Sequence, residues 1–313
     1  MSARGTLLIA PHQFPHLERE QKLAEEFGMK LVAAADQQAF TAVMADAEVV
    51  MVTPYGKVTE AEFALMTRCK AVVRYGIGYD NIDVKAAAKV GVPVSIVPDA
   101  SSEEVAAHAL AMGVALARRL PHGQASIQNN GWAGTIAYDT PKFANLEVGI
   151  VGMGRIGRLT AKWWAALGVK VKAYDPFAKF DDYPQASLQD ILEQSDVVSL
   201  HLPLNADTRD MINADVLKRM RKNAVIVNVS RGGLIDEVDL AHALRAGEIA
   251  GAALDVFAKE PLPQDNPLRD APNLIITPHI AWRSTTSIGA LQDGAIDRAR
   301  RALTGEQLPD VVS

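Results

Sequence analysis

Apolar positions along the chain fall in runs of four to seven residues rich in β-branched side chains, separated by stretches of helix length. That alternation predicts an α/β fold. In the first hundred residues the predicted strands are Thr6 to Ala10, Lys30 to Ala33, Val49 to Val52, Ala71 to Arg74 and Val94 to Val97, with Leu17 to Phe27 as an amphipathic helix. They read as one small parallel sheet. Ser101 to Leu120 predicts a long helix, opened by Ser101 and Ser102 with Glu103 and Glu104 near its positive end, and a polar loop follows from Gln124 to Gly134. A second series of strands comes next: Glu147 to Val151, Val169 to Tyr174, Val197 to Leu202, Ala224 to Val229, Gly251 to Val256 and Leu274 to Thr277. The pattern describes two α/β units of different size, with no repeat of solenoid length.

Length agrees, since 313 residues set against about 150 per domain fit two domains with cores large enough to need no staples. Cys69 is the sole cysteine, which excludes an intramolecular disulfide, leaves no cysteine-cluster metal site and fits a reducing compartment. No metal is expected. The net charge of −5 comes from scattered charges of both signs, so the basic face of a nucleic-acid binder is missing. The longest uncharged apolar stretch, Val105 to Ala117, contains His108 and falls short of the roughly 18 residues that span a bilayer. Met1 to Ala10 runs straight into a strand, without the features of a secretory signal. A cytoplasmic protein that binds neither membrane nor nucleic acid is expected.

Chemistry first appears between Glu147 and Asp175. An apolar strand runs into Gly152-Met153-Gly154-Arg155-Ile156-Gly157, a helix-length stretch follows, and a second strand ends at Asp175. This is a dinucleotide fingerprint in its required context. Gly152 permits the tight turn, Gly154 lets the backbone approach a pyrophosphate, and Gly157 lets the helix sit close to the sheet. The amides at Arg155 and Ile156 open the helix, an end that favours an anion. Asp175 falls where an acid accepts from the adenosine ribose hydroxyls and would repel a 2′-phosphate, so NAD is expected rather than NADP.

Hydride chemistry on a carbonyl requires a proton donor, a group that tunes the donor, and a cation to polarise the oxygen and hold a carboxylate. Three residues just past predicted strand ends offer these: His279 in Thr277-Pro278-His279, Glu260 in Lys259-Glu260-Pro261, and Arg231 in Ser230-Arg231-Gly232-Gly233. Ligands of open α/β sheets bind at that edge. Taken singly, each also reads as an ordinary surface, loop or strand-edge residue.

These residues carry a resemblance that extends over essentially the whole chain. It runs from Gly76-Ile77-Gly78-Tyr79-Asp80-Asn81-Ile82-Asp83 and the fingerprint through His201-Leu202-Pro203-Leu204 to Thr208. Asn228-Val229-Ser230-Arg231-Gly232-Gly233 to Asp236, Ala253-Leu254-Asp255-Val256-Phe257, Glu260-Pro261 and Thr277-Pro278-His279 continue it. The chain resembles the D-isomer-specific 2-hydroxyacid dehydrogenases. The resemblance implies a Rossmann-type dinucleotide-binding domain at 101–283, inserted into a smaller flavodoxin-like substrate domain made of 1–100 and 284–313, with the active site in the cleft between them. It implies NAD as cofactor and a small 2-hydroxy or 2-oxo acid as substrate. The long helix from Ser101 and the loop through Trp132 resemble the segment by which the family pairs its cofactor domains, which implies a homodimer.

Carried over by position, the resemblance makes His279 the general acid in reduction and base in oxidation, with Glu260 hydrogen-bonded to the imidazole and favouring its protonated form. Arg231 would bridge the substrate carboxylate and its 2-oxo oxygen, joined by the amides of Ile77 and Gly78. Asp255 would orient the nicotinamide ring, and His201, Leu202, Pro203, Thr208 and Val229 would line the cofactor. His201 receives no acid–base role. Tyr55, Arg74 and Trp282 are the expected neighbours of the substrate side chain, with packing under the cleft as the other reading of Trp282.

Departures from the pattern narrow the substrate. Formate dehydrogenases of the superfamily pair the histidine with glutamine, and this chain has Glu260. Phosphoglycerate dehydrogenases carry an arginine for the phosphate where this chain has Thr53, and with about thirty residues after His279 their long regulatory domains are not expected. A glyoxylate or hydroxypyruvate reductase is therefore expected. A phosphoglycerate dehydrogenase-like enzyme is the alternative. Ile280-Ala281-Trp282 resembles the branch near the C-terminal binding proteins, NAD(H)-dependent corepressors that retain the same Arg, Glu and His, so these residues do not separate enzyme from sensor.

Overall fold

A computed structural model describes residues 5–133 and 140–313. Met1 to Arg4, ahead of the first predicted strand, and Gly134, at the end of the predicted polar loop, lie outside the described residues. The chain divides into two compact units, Met1–Ser101 with Arg283–Ser313, and Ser102–Trp282.

The first unit holds strands β1 (Thr6–Ile9), β2 (Lys30–Ala33), β3 (Ala47–Val52), β4 (Ala71–Arg74) and β5 (Val94–Ile96). All five pair in parallel, in the order β5-β4-β3-β1-β2. The helices α1 (Glu18–Glu26), α2 (Gln37–Val43), α3 (Glu60–Leu65) and α4 (Val84–Val90) connect them. The strands β1, β3, β4 and β5 are buried at nearly every position and read as mostly apolar runs rather than alternating ones, while the edge strand β2 is exposed at both ends. Met44, Met51 and Met66 are buried among them.

The second unit begins with α5 (Ser102–Ala117) and α6 (Leu120–Gln128). Its strands are β6 (Glu147–Val151), β7 (Lys170–Tyr174), β8 (Val197–Leu200), β9 (Val225–Asn228), β10 (Gly251–Leu254) and β11 (Leu274–Ile276). The order β11-β10-β9-β8-β6-β7 is parallel throughout. Because β7 lies on one side of β6 and β8 on the other, the order reverses at β6, and a doubly wound sheet binds its ligand outside such a reversal. Between the strands run α7 (Arg155–Ala166), α8 (Leu188–Gln194), α9 (Ala214–Arg219) and α10 (Glu237–Ala246). The helix α11 (Ser287–Thr304) and the strand β12 (Val311–Val312) return to the first unit.

Three expectations are corrected. The helix from Ser101 stops at Ala117 rather than Leu120, because Arg119 turns left-handed at φ 55°, and Pro121 then opens a new helix. The predicted loop from Gln124 is helical as far as Gln128; α6 has no buried residue, so no apolar stripe marked it as a helix. The first sheet is not purely parallel, since β12 adds antiparallel to β5. Two residues are too few to show a period; Arg298 holds this strand through Asp310 at 2.6 Å, and Ser95 Oγ donates to the Pro309 carbonyl at 2.5 Å.

Trp164 is fully buried beneath α5, so close that a methyl group at Gly113 would stand 2.6 Å from its ring. Trp164→Ala is expected to cost about 3–5 kcal/mol, read as a lowered urea midpoint at unchanged slope.

Candidate active site

The fingerprint turn follows β6. Gly152 adopts φ 99°, and a Cβ there would overlap the His201 carbonyl oxygen. A Cβ on Gly157 would overlap the Gly152 oxygen and stand 3.4 Å from the His201 Cβ, so the start of α7 is seated directly on the turn. Gly154 differs: nothing lies within 4 Å of its Cβ position, and it begins α7 with no side-chain cap. Uncapped helix amides beside open space suit an anion. The residues present thus fit the pyrophosphate of a dinucleotide, with Arg155 exposed and Ile156 half-buried on the first turn.

Asp175 stands just past β7. Its Oδ2 accepts from the Met153 amide at 2.7 Å, and its Oδ1 accepts from the Phe177 and Ala178 amides at 2.8 Å each. Partial burial works against its charge, but these three amides and the nearby Arg158 outweigh it and hold the carboxyl below its ordinary value. The acid is therefore anionic at neutral pH and tied to the turn. His201 contributes its backbone to the turn, while its Nε2 lies 2.9 Å from Ser199 Oγ. Burial pushes its imidazole down to about 3, which leaves it neutral at pH 7. Leu202 lies beside Gly152, its Cδ2 at 3.1 Å from the Cβ position. Thr208 organises the loop that follows Leu202, donating to the Pro203 carbonyl at 2.8 Å and accepting from the Asn205 amide at 2.9 Å. Val229 is buried in the core.

The second cluster lies past β9, β10 and β11. His279 Nδ1 and Glu260 Oε2 are 2.7 Å apart, and Glu260 Oε1 accepts from the Phe257 amide at 3.0 Å. Burial opposes the charge on Glu260; the hydrogen bond and charge of His279, the Phe257 amide and the charge of Arg231 together hold the carboxyl below its usual range. Arg231 opens the 3₁₀ turn Gly232–Leu234, and its Nη1 donates to the Ser230 carbonyl at 2.6 Å. Buried Asn228 ties that turn down by donating to the Arg231 carbonyl at 2.8 Å and accepting from the Ser230 amide at 3.0 Å.

Asp255 is fully buried, and its carboxyl oxygens accept from the Thr277 hydroxyl at 2.5 Å and the amides of Ile280 and Ala281 at 2.9 and 2.8 Å. Its backbone carbonyl accepts from the His279 amide at 2.8 Å. His108 joins this set through Thr277 Oγ1 at 3.1 Å. Trp282 Nε1 donates to the His279 carbonyl at 3.0 Å while its partly buried ring packs on the core. His108, Thr277 and Asn228 had no assigned part in the sequence reading; Thr277 and Asn228 stood inside its motifs, whereas His108 pairs 169 residues away and carries no local signal.

In the first unit, Tyr55 is 54% exposed in the loop after β3. Thr53 is buried, donates to the Pro11 carbonyl and accepts from the Tyr55 amide at 3.2 Å. Arg74 is only 6% exposed, and its Nη1 donates to the Tyr75 carbonyl, beside the turn that carries Ile77 and Gly78. Gly76 opens that turn at φ 116° with its carbonyl held by the Val97 amide at 3.1 Å. Among the described residues no cluster suited to a metal ion occurs, and no helix is long and apolar enough to cross a membrane.

Fold and fingerprint define a dinucleotide-binding α/β protein. The family model for the NAD binding domain of D-isomer specific 2-hydroxyacid dehydrogenases matches residues 110–281, and the chain belongs to that family. It is 34% identical over 296 residues to the D-3-phosphoglycerate dehydrogenase of Mycobacterium bovis, an alignment covering 93% of this chain and 56% of that protein. The chain thus spans about half the length of the curated relatives it matches. Among solved structures it is similar to the TT0316 protein of Thermus thermophilus, at 30% identity and TM-score 0.87 over 98% of this chain and 100% of the other. It is also similar to the D-lactate dehydrogenase of Aquifex aeolicus complexed with NAD and lactic acid, at 27% identity and TM-score 0.87 over 96% of each chain.

Two outcomes follow from this geometry. Gly154→Ala should fold normally and lose NADH affinity in a fluorescence titration, whereas Gly157→Ala should lower the melting temperature; equal behaviour of the two would refute the division of labour. The depressed Glu260 carboxyl contributes stability that is complete above its ordinary value of 4.5 and is lost as pH falls through its lower folded value. Glu260→Gln should therefore flatten the acid limb of stability against pH, measured by urea titration, and an unchanged limb would contradict the assignment.

Proposed function

We propose that the protein is an NAD-dependent oxidoreductase acting on the CH–OH group of D-2-hydroxy acids, working as a reductase of small unphosphorylated 2-oxo acids such as glyoxylate or hydroxypyruvate. The observation that carries this reading is the 2.7 Å contact between His279 and Glu260, with the charge of Arg231 acting on the same carboxylate. The nicotinamide cofactor, when bound, supplies or takes up the hydride. With Nδ1–H donated to Glu260, the Nε2 atom of His279 is the one that exchanges a proton with the substrate oxygen. Arg231 offers a fixed positive charge to the carboxylate and the oxygen on which charge develops. Gly154 and Asp175 hold the cofactor's pyrophosphate and ribose in this reading, and Asp255 serves the nicotinamide end while fixing the His279 loop.

The first unit is assigned as the substrate domain, with Tyr55, Ile77 and Gly78 as its contributors. Thr53 supports an unphosphorylated substrate, because its hydroxyl is engaged by the Pro11 carbonyl and the Tyr55 amide and brings no charge. The names of the curated relatives favour a second reading, oxidation of a phosphorylated 2-hydroxy acid. A homodimer through the second unit goes with either reading, supported by the exposure of Leu120, Ile127 and Trp132 along and after α6. A cytoplasmic location fits the single cysteine.

NADH oxidation with a panel of glyoxylate, hydroxypyruvate, pyruvate, branched and aromatic 2-oxo acids and 3-phosphohydroxypyruvate, with NADPH as control, tests both readings. Turnover of an unphosphorylated member is expected, and preference for the phosphorylated one would establish the second. Arg231→Ala and His279→Ala should each lower kcat by about 10²- to 10⁴-fold while NADH still binds. Near-normal turnover in either variant would overturn the mechanism.

A further inference from the structure

Glu237 is the first residue of α10, directly after Asp236, which caps the helix by accepting from the Val238 and Asp239 amides. The cap is thus complete without Glu237. Its carboxylate turns instead to another segment, with Oε1 accepting from the Ala258 amide at 2.6 Å and Oε2 from Asn266 Nδ2 at 2.6 Å. These two partners bracket Glu260. The chain between them belongs to no helix or strand, so side chains must hold it. Arg269 grips its middle, its Nε and Nη2 donating to the Pro263 and Leu262 carbonyls at 2.7 Å each. Ala258 is also where the Arg231 turn rests, since a Cβ on Gly232 would overlap the Phe257 carbonyl carbon and the Ala258 nitrogen. A displacement of Ala258 would therefore be felt by Glu260, two residues on, and by Arg231 across that contact.

We propose that Glu237 is a positioning residue: by fixing Ala258 and Asn266 it keeps the Glu260 carboxylate against His279 and the Arg231 turn in its seat. The proposal rests on the reading of His279 and Glu260 as the proton-transfer pair. Glu237 itself touches neither of them through its carboxylate, whose two oxygens are engaged by Ala258 and Asn266. Charge-assisted bonds of this length are the strong kind, and losing them loosens the two ends of the segment while Arg269 still holds its middle.

The test compares Glu237→Ala, Glu237→Gln and Asn266→Ala, alone and with Glu260→Gln, in the full chain. Three quantities are read: kcat with a 2-oxo acid that the wild type reduces, the NADH dissociation constant, and the titration of the His279 imidazole by NMR. Glu237→Ala should lower kcat roughly tenfold with NADH affinity within about twofold, move the His279 titration in the same direction as Glu260→Gln, and add less than about twofold on top of it. Glu237→Gln, which keeps an acceptor for Ala258, should recover part of the loss. Asn266→Ala, which cuts one anchor and leaves α10 intact, should give a smaller loss of the same kind and serves if Glu237→Ala does not fold. Effects of Glu237→Ala and Glu260→Gln that multiply, or a His279 titration that Glu237→Ala and Asn266→Ala leave unmoved, would overturn the proposal. A wild type that reduces no 2-oxo acid would sink the functional reading instead, and the NMR titration would then decide the role of Glu237 by itself.

Discussion

Asp255 ends β10 with its side chain fully buried, and a carboxyl group taken out of water costs several kcal/mol unless hydrogen bonds replace the lost ones. Here the replacements come from Thr277 and from the amides of Ile280 and Ala281, on either side of His279. The same exchange holds His279 in a left-handed conformation at φ 54°, which is uncommon for a residue with a side chain and costs of order 1 kcal/mol or more. The buried acid and the bent loop each remove the other's penalty. What results is an imidazole whose backbone is fixed by β10 and whose Nδ1 meets Glu260. Strain at such a place is expected where a side chain must be aimed rather than merely packed.

The fingerprint is built on the opposite principle, close contact between backbones with side chains removed. Gly157 against Gly152, and Gly152 against His201, bring α7, β6 and the end of β8 together more tightly than any side chain would permit. Gly154 alone faces open space, so the three glycines of one motif have different physical reasons for lacking a Cβ. Asp175 completes the turn from β7, and its three amide donors explain how a half-buried acid keeps its charge. Arg231 and Glu260 rely on a third device, irregular segments clamped by Asn228, Glu237 and Arg269.

Most of this was legible in the sequence wherever the signal is local. Apolar runs marked the parallel strands of both sheets, because strands covered on both faces read as near-continuous apolar runs rather than alternating ones. The fingerprint, His279, Glu260 and Arg231 stood out because each follows a strand that the pattern identifies. The parts that were not legible share a physical cause. The helix α6 has no buried face and β12 has two residues, so neither leaves a period to read. The bonds of His108 to Thr277 and of Glu237 to Ala258 and Asn266 join segments far apart in the chain, which spacing does not encode.

The proposed reduction of a 2-oxo acid rests on family membership, a dinucleotide turn and a histidine aimed by Asp255 and paired with Glu260. The most direct measurement is chiral analysis of the product formed from hydroxypyruvate and NADH. D-glycerate is the predicted product. Formation of L-glycerate, or of both isomers, would contradict the account.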